Sequence, residues 1–201
     1  SARRRPDDVA GTLADRVAAA YARGRIGATV PTTTAPAGRG EALAAELAPL
    51  GVLGCGSRST VYKVLHAPTL RLMAEKVTRI RDDDHAAQLV RELHVLREAA
   101  GQDDALVGFR DAFADPREGG VHFLGEYMDG ASLQTLVEAS GACAHDDVLR
   151  EIAARTLRGL AFLHDVKRQI HRDVKPANVL LDRGGAVPAA ARISRPPPPP
   201  P

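Results

Sequence analysis

The stretch Ile170–Leu181, IHRDVKPANVLL, constrains this chain more than any other. It fixes His171, Arg172, Asp173, Lys175, Pro176 and Asn178 at set offsets, flanked by Ile170 on one side and Val179, Leu180 and Leu181 on the other. The flanks read as short buried strands, so the polar residues lie on a loop held at both ends by apolar chain. A carboxylate, an ammonium and an amide presented together in this way are a chemical constellation. A chance match of this length is improbable.

The chain ahead of this loop alternates strand and helix patterns. Residues 7–25 suit a short amphipathic helix, with Asp7 or Asp8 as its cap and Val9, Leu13, Val17 and Tyr21 repeating at i+4. Residues 27–40, rich in Thr, Pro, Ala and Gly, read as a linker, and order is expected from about Leu50. From there to Ile80, apolar and β-branched residues flank a glycine turn and then Ala67-Pro68, a three-stranded antiparallel pattern. Asp82 to Asp84 cap a helix whose face carries Leu89, Leu93 and Leu96, with Gly101 ending it. Residues 106–130 read as two strands around a turn, and Asp146 to His164 as a second helix with a Leu, Ile and Val stripe.

Three further places bear on chemistry. LGCGSRSTV, Leu53–Val61, is a glycine-rich turn; Gly54 and Gly56 let backbone amides approach an anion without Cβ clashes. Alone, such a hairpin is more often only a tight turn. Lys76 follows Val61 by fifteen residues on the third strand. Glu92 lies on the helix beside Leu89 and Leu93, where a carboxylate can pair with Lys76. The chain holds only four lysines, Lys63, Lys76, Lys167 and Lys175, and writes Arg elsewhere; two of the four fall within these motifs.

With the loop, the glycine turn, the lysine and the helical carboxylate in this order and spacing, residues from about Leu50 to Gly185 resemble the first half of a eukaryotic protein kinase domain. EYMDGASL, RELHVL and HRDVKPANVLL are most similar to dual-specificity MAP kinase kinases. The resemblance implies an α+β fold: a kinase-like small lobe of antiparallel sheet and one helix, then an incomplete helical large lobe. It implies residues 1–49 as helix and flexible linker, 50–128 as small lobe and hinge, 129–185 as the start of the large lobe, and 186–201 as a disordered Ala/Pro-rich tail. ATP and Mg2+ are the implied ligands. Leu53, Gly54, Gly56 and Val61 would cover the nucleotide, and Ala74 and Leu180 would sandwich its adenine. Glu126, Tyr127 and Met128 would form the hinge, with Gly125 at the gatekeeper position as a departure that opens a back pocket. Lys76 and Glu92 would form the ion pair over the phosphates. His171 would belong to the internal packing, Asp173 would be the base, Lys175 the cation near the γ-phosphate, and Asn178 a magnesium ligand. The substrate class implied is a protein, a MAP kinase among them, phosphorylated on Ser/Thr and also Tyr.

One departure is large. The family's Asp-Phe-Gly follows the loop Asn by about thirteen residues, which here lands on Ala191 with Arg192 and Ile193 after it. No Asp-Phe-Gly occurs, although Gly184 to Val187 and Ile193 to Arg195 resemble its usual flanks. The expectation is a chain truncated before that motif, with little or no activity. Its αE-like helix stripe would lie open. The competing expectation is a non-catalytic pseudokinase fragment acting as a protein-binding module, its six terminal prolines offered to SH3, WW or profilin-type partners.

Composition excludes several other classes. The net charge of +2 is too small to imply nucleic-acid or membrane binding. Cys55 and Cys143 make no disulfide framework, which suits a reducing compartment, and no apolar run is long enough to span a bilayer. A cytoplasmic protein is the expectation. The first residue is Ser1 rather than Met, which suits a fragment or a processed product. Aromatic residues are 3% and Trp is absent, so the core must rest on Leu, Val, Ala and Ile.

Overall fold

The computed structural model describes residues 39–56, 59–98, 100–115, 120–141, 145–183 and 192–193. The expected helix at 7–25, most of the expected linker, the tip of the glycine turn at 57–58 and the proline tail lie outside them. The chain divides into two compact units. One takes the chain up to Arg97 and returns for Arg110–Gly125; the other takes Glu98–Phe109 and the chain from Glu126 onward.

The first unit is a five-stranded sheet with a helix on each face. Its strands are β1 (Leu47–Cys55), β2 (Ser59–His66), β3 (Arg71–Arg79), β4 (Phe109–Asp115) and β5 (Gly120–Glu126), in the order β1-β2-β3-β5-β4. The first three form the expected antiparallel meander, with Val61 opposite Lys76 and Val64 opposite Met73. Because side chains alternate along a strand, this register sends Val61, Ala74 and Lys76 to one face and Tyr62, Val64, Met73 and Glu75 to the other.

The face that carries Lys76 receives α2 (Asp83–Glu98). Asp82 starts this helix: its carboxylate accepts the His85 amide at 2.7 Å. Ala86, Leu89 and Leu93, spaced for one helical face, are buried. The opposite face is covered by α1 (Arg39–Ala45) and the chain entering β1: Leu43, Ala44 and Leu47 pack on Val64, Phe113 and Leu124. A methyl group at Gly40 would stand 2.6 Å from the Ala114 carbonyl oxygen, so only glycine lets α1 come this close to β4. Under α1, Glu75 and His122 pair at 2.9 Å, and the His122 ring stacks on Phe113 with centroids 4.6 Å apart. Ordered structure is thus already present at Arg39–Ala45, ahead of the expected Leu50. The apolar residues of EALAAELAPL, which look unremarkable in an Ala-rich stretch, are the cover for one side of the sheet.

The second unit is built around a two-stranded ribbon. It contains α3 (Leu133–Ser140), α4 (Asp146–Ala161), a π-helical turn at Phe162–Val166, a 3-10 turn at Pro176–Asn178, and strands β6 (Val179–Leu180) and β7 (Arg192–Ile193). Ser132 caps α3 by accepting the Thr135 amide, and Gly141 ends it in a left-handed conformation, a helix not expected from the sequence. In the ribbon Val179 lies opposite Ile193 and Leu180 opposite Arg192. Ile193 also exchanges hydrogen bonds with the segment Ala105–Val107 on its other side, its amide donating to the Ala105 carbonyl and its carbonyl accepting from Val107.

Two expectations fail here. Arg192 and Ile193 do not belong to a disordered tail: they are a strand, and Ile193 is fully buried with Leu106 and Leu163. The stripe of α4 is also less open than expected. Ile152 packs on Val179 and Leu181, and Leu163, in the turn after α4, is fully buried, while Leu149 and Leu157 remain exposed. Among the described residues no helix is long and apolar enough to cross a membrane.

Candidate functional site

In the first unit, the register brings Gly54, Val61 and Lys76 into one row across β1, β2 and β3. Ala74 lies two residues before Lys76 on the same face of β3. Leu53 is on β1, half exposed, and Gly56 follows it, its amide donating to the Ser59 carbonyl at 2.8 Å to close the turn. Lys76 Nζ stands 3.7 Å from Glu92 Oε1 and 5.7 Å from the centre of the Phe123 ring. The ring face is electron-rich and helps hold the ammonium. Glu92 is buried, and burial pushes its carboxyl above the ordinary value; the charge of Lys76 acts the other way. So the pair expected from the resemblance is formed, and the chain presents a tethered ammonium in register with Val61 and Gly54.

In the second unit, the loop from His171 to Asn178 is tied by its own polar groups. Asn178 donates from Nδ2 to the Asp173 carbonyl at 2.7 Å and to Asp173 Oδ2 at 2.8 Å. Lys175 Nζ stands 3.0 Å from Asp173 Oδ1. The bond from Lys175, then that from Asn178, holds the Asp173 carboxyl below its ordinary value against partial burial. Arg172 adopts a left-handed φ of 63°, a strained conformation for a non-glycine residue, and so swings the chain at the residue before Asp173. His171 is buried, as expected of a packing residue, and the Asp173 amide donates to its carbonyl at 2.9 Å. Pro176 opens the 3-10 turn that brings Asn178 back to Asp173.

This geometry suits particular chemistry. Asp173 is ionised and partly exposed, able to accept a proton from an approaching hydroxyl. Both hydrogens of the Asn178 amide go to Asp173, which leaves its oxygen to ligate a cation. Among the described residues no group of three His, Cys, Asp or Glu could hold a metal ion. A hard cation at Asn178 must therefore bring most of its ligands with it, as Mg2+ does with phosphate oxygens and water. The residues fit Mg2+ carried by a nucleotide, and do not form a metal cage of their own.

The segment joining β5 to α3 is pinned to the ribbon. Met128 is buried and Leu180 lies on β6. Gly130 donates to the Leu181 carbonyl at 2.9 Å, Leu181 donates to the Ala131 carbonyl at 2.8 Å, and the Arg183 amide donates to Asp129 Oδ1 at 2.8 Å. A Cβ at Gly130 would meet Leu181 backbone at 2.8 Å, so a larger residue cannot stand there. That bond from Arg183 is the main cause holding the Asp129 carboxyl below its ordinary value. The sequence reading missed this clamp and the ion pair of Glu126 with Arg192. The Gly after Asp129 and the Ile-Ser-Arg flank were the available signals.

Residues 47–193 match the family described as protein kinase domain. Three curated relatives are similar over most of the chain. Mitogen-activated protein kinase kinase 3 of Arabidopsis thaliana is 34% identical over 70% of this chain, and mitogen-activated protein kinase kinase 9 of the same plant is 39% identical over 79%. The dual specificity mitogen-activated protein kinase kinase dSOR1 of Drosophila melanogaster is 36% identical over 74%. The matched regions span 26%, 49% and 36% of those relatives' own lengths.

Proposed function

Because this chain belongs to the protein kinase family, we propose that it carries the ATP-binding and catalytic-loop residues of a kinase of the MAP kinase kinase type. Gly54, Gly56 and Val61 cover the nucleotide, and Lys76, held by Glu92, pairs with its phosphates. Ala74 and Leu180 bound the adenine, and Glu126 to Met128 supply backbone groups to its edge. In the reaction the hydroxyl oxygen of a protein Ser, Thr or Tyr attacks the γ-phosphorus. The bond to ADP breaks, and the hydroxyl proton passes to Asp173. Lys175 offsets charge on the transferring group. The Asn178 side-chain oxygen would help hold a Mg2+ ion carried in on the nucleotide, which would supply charge neutralisation at the phosphates.

The observation that carries this reading is the bracing of Asp173 by Asn178 and Lys175, since an isolated exposed aspartate needs no such frame. The substrate class we propose is a protein, with a MAP kinase as the first candidate.

A second reading rests on a specific observation. Residues 183–201 contain no Asp or Glu, so the stretch in which the family's second metal-binding carboxylate is expected holds none. On that reading the 201-residue chain transfers phosphate poorly or not at all and acts by binding proteins, with Pro196–Pro201 as one contact for SH3, WW or profilin-type partners.

One experiment separates the two. The purified chain is titrated with ATP with and without Mg2+, then assayed for phosphorylation of a MAP kinase, alongside Lys76→Met and Asp173→Ala. ATP binding lost in Lys76→Met supports the nucleotide site. Magnesium-dependent phosphorylation lost in Asp173→Ala supports the kinase and removes the second reading. Binding without turnover supports the second, and no ATP binding sinks the first.

A further inference from the structure

We propose that Arg192 is a positioning residue for the adenine end of the nucleotide, acting through Glu126; this rests on the nucleotide-binding reading above. Arg192 Nη1 donates to Glu126 Oε2, and both side chains are mostly buried. The same oxygen is 3.4 Å from the Gly108 amide, a weak bond, while the Glu126 amide donates to the Gly108 carbonyl at 2.8 Å. Without Arg192 the carboxylate keeps, among the described residues, that long contact. A buried charge that loses its partner seeks water, and its backbone goes with it.

Both ends of the segment from Glu126 to Ser132 return to the same ribbon. At one end Glu126 is held by Arg192 on β7. At the other, Ser132 bridges Leu180 on β6, and Gly130 and Ala131 bond Leu181. Leu180 is itself the partner of Arg192 across the ribbon. Only Tyr127, Met128 and Asp129 lie between these anchors, and those positions include the backbone proposed to meet the adenine edge. The β7 anchor is well embedded: Ile193, next to Arg192, is fully buried, its backbone bonds Ala105 and Val107, and it lies opposite Val179 across the ribbon. Among the described residues Arg192 Nε is buried without a hydrogen-bond partner, and Glu126 is the carboxylate that the guanidinium meets. One side chain thus converts the position of a buried strand into the position of the adenine-facing backbone.

The test measures, by calorimetry on the full 201-residue chain, affinity for ATP, adenosine and inorganic tripolyphosphate. Arg192→Met should weaken ATP and adenosine binding roughly three- to tenfold, the scale of one hydrogen bond's net worth, and leave tripolyphosphate unchanged. Glu126→Gln should act alike, the double variant should add little, and Arg192→Lys should restore most of the affinity. Unchanged adenosine affinity in both single variants overturns the proposal. So does an equal loss for all three ligands, which marks a merely structural role. If the unaltered chain binds neither ATP nor adenosine, the nucleotide reading itself fails and this inference falls with it; if it binds both and the variants do as well, only this inference fails.

Discussion

Lys76 and Glu92 stand 3.7 Å apart with unequal exposure: the Glu92 side chain is 10% accessible and that of Lys76 39%. The carboxylate therefore bears most of the desolvation, and the ammonium stays near water. A buried acid whose partner only partly compensates costs stability when ionised. Burial of Glu92 thus opposes the attraction of Lys76, and the two together set where the ammonium stands.

The pH dependence follows with a definite sign. The folded-state value of Glu92 is raised, so the native state binds its proton more tightly than the unfolded chain does. Its stabilising contribution is complete below the ordinary carboxyl value and is lost as pH rises through the raised value. Glu92→Gln removes that slope. Urea melts of both chains from about pH 4 to about pH 8 should show the variant gaining on the parent as pH rises. ATP affinity should change in the opposite sense, falling in the variant at neutral pH because Lys76 loses its tether. A variant that loses stability relative to the parent with rising pH would show that the Lys76 attraction outweighs burial.

For Asp173 the shift is downward, and the sign reverses. Its contribution to stability is present above the ordinary carboxyl value and is lost as pH falls through the lowered one. The Lys175 bond is the largest cause, so Lys175→Met should move the Asp173 titration up more than Asn178→Ala does. Carboxyl-carbon NMR titration reads both directly. An equal or reversed order would mean that Asn178, with its two bonds, is the dominant brace.

The motifs were legible because they are local. Glu92 was paired with Lys76 through the resemblance to the kinase family rather than from the helix pattern, in which a surface Glu is the plainer reading, and the bracing of Asp173 lies within six residues of chain. What was hidden depends on partners far away in sequence. Leu43 and Leu47 read as part of a linker until Val64, Phe113 and Leu124 supply the surface they cover. Ile193, set in an Ala- and Pro-rich stretch, carries no periodic pattern at all; its burial comes from Leu106 and Leu163, eighty-seven and thirty residues earlier. The short α3 was hidden by the absence of buried residues: its caps, Ser132 and Gly141, define it more than any apolar face does.

Gly125, half-buried on β5 immediately before Glu126, bears on ligand choice. If the segment that follows it meets the adenine edge, a residue without a side chain leaves room there for a bulky purine substituent. We expect ATP analogues enlarged at the purine N6 position to bind about as well as ATP. Gly125→Met should reject them while leaving ATP affinity within a few-fold. Competition binding with a benzyl-substituted analogue checks this, and rejection by the unaltered chain would remove Gly125 from the ligand's neighbourhood.

Ile193 gives the sharpest contrast between a residue's setting in sequence and its weight in the structure. Its side chain is fully buried between Leu106 and Leu163, and its Cγ2 lies 3.1 Å from where a Cβ on Gly159 would stand, so α4 packs directly on it. Truncation leaves a cavity that the two flanking strands cannot close, because each is hydrogen-bonded to the β7 backbone. Ile193→Ala should cost about 2–5 kcal/mol and Ile193→Val about 0.5–1.5 kcal/mol, measured by denaturant melts of the whole chain. Leu157, on α4 in the same unit but 64% exposed, serves as the control: Leu157→Ser should change stability by no more than about 0.5 kcal/mol. If the exposed leucine proves the costlier of the two, the stripe of α4 is buried against chain that the described residues do not include, and Ile193 is not the keystone of this unit.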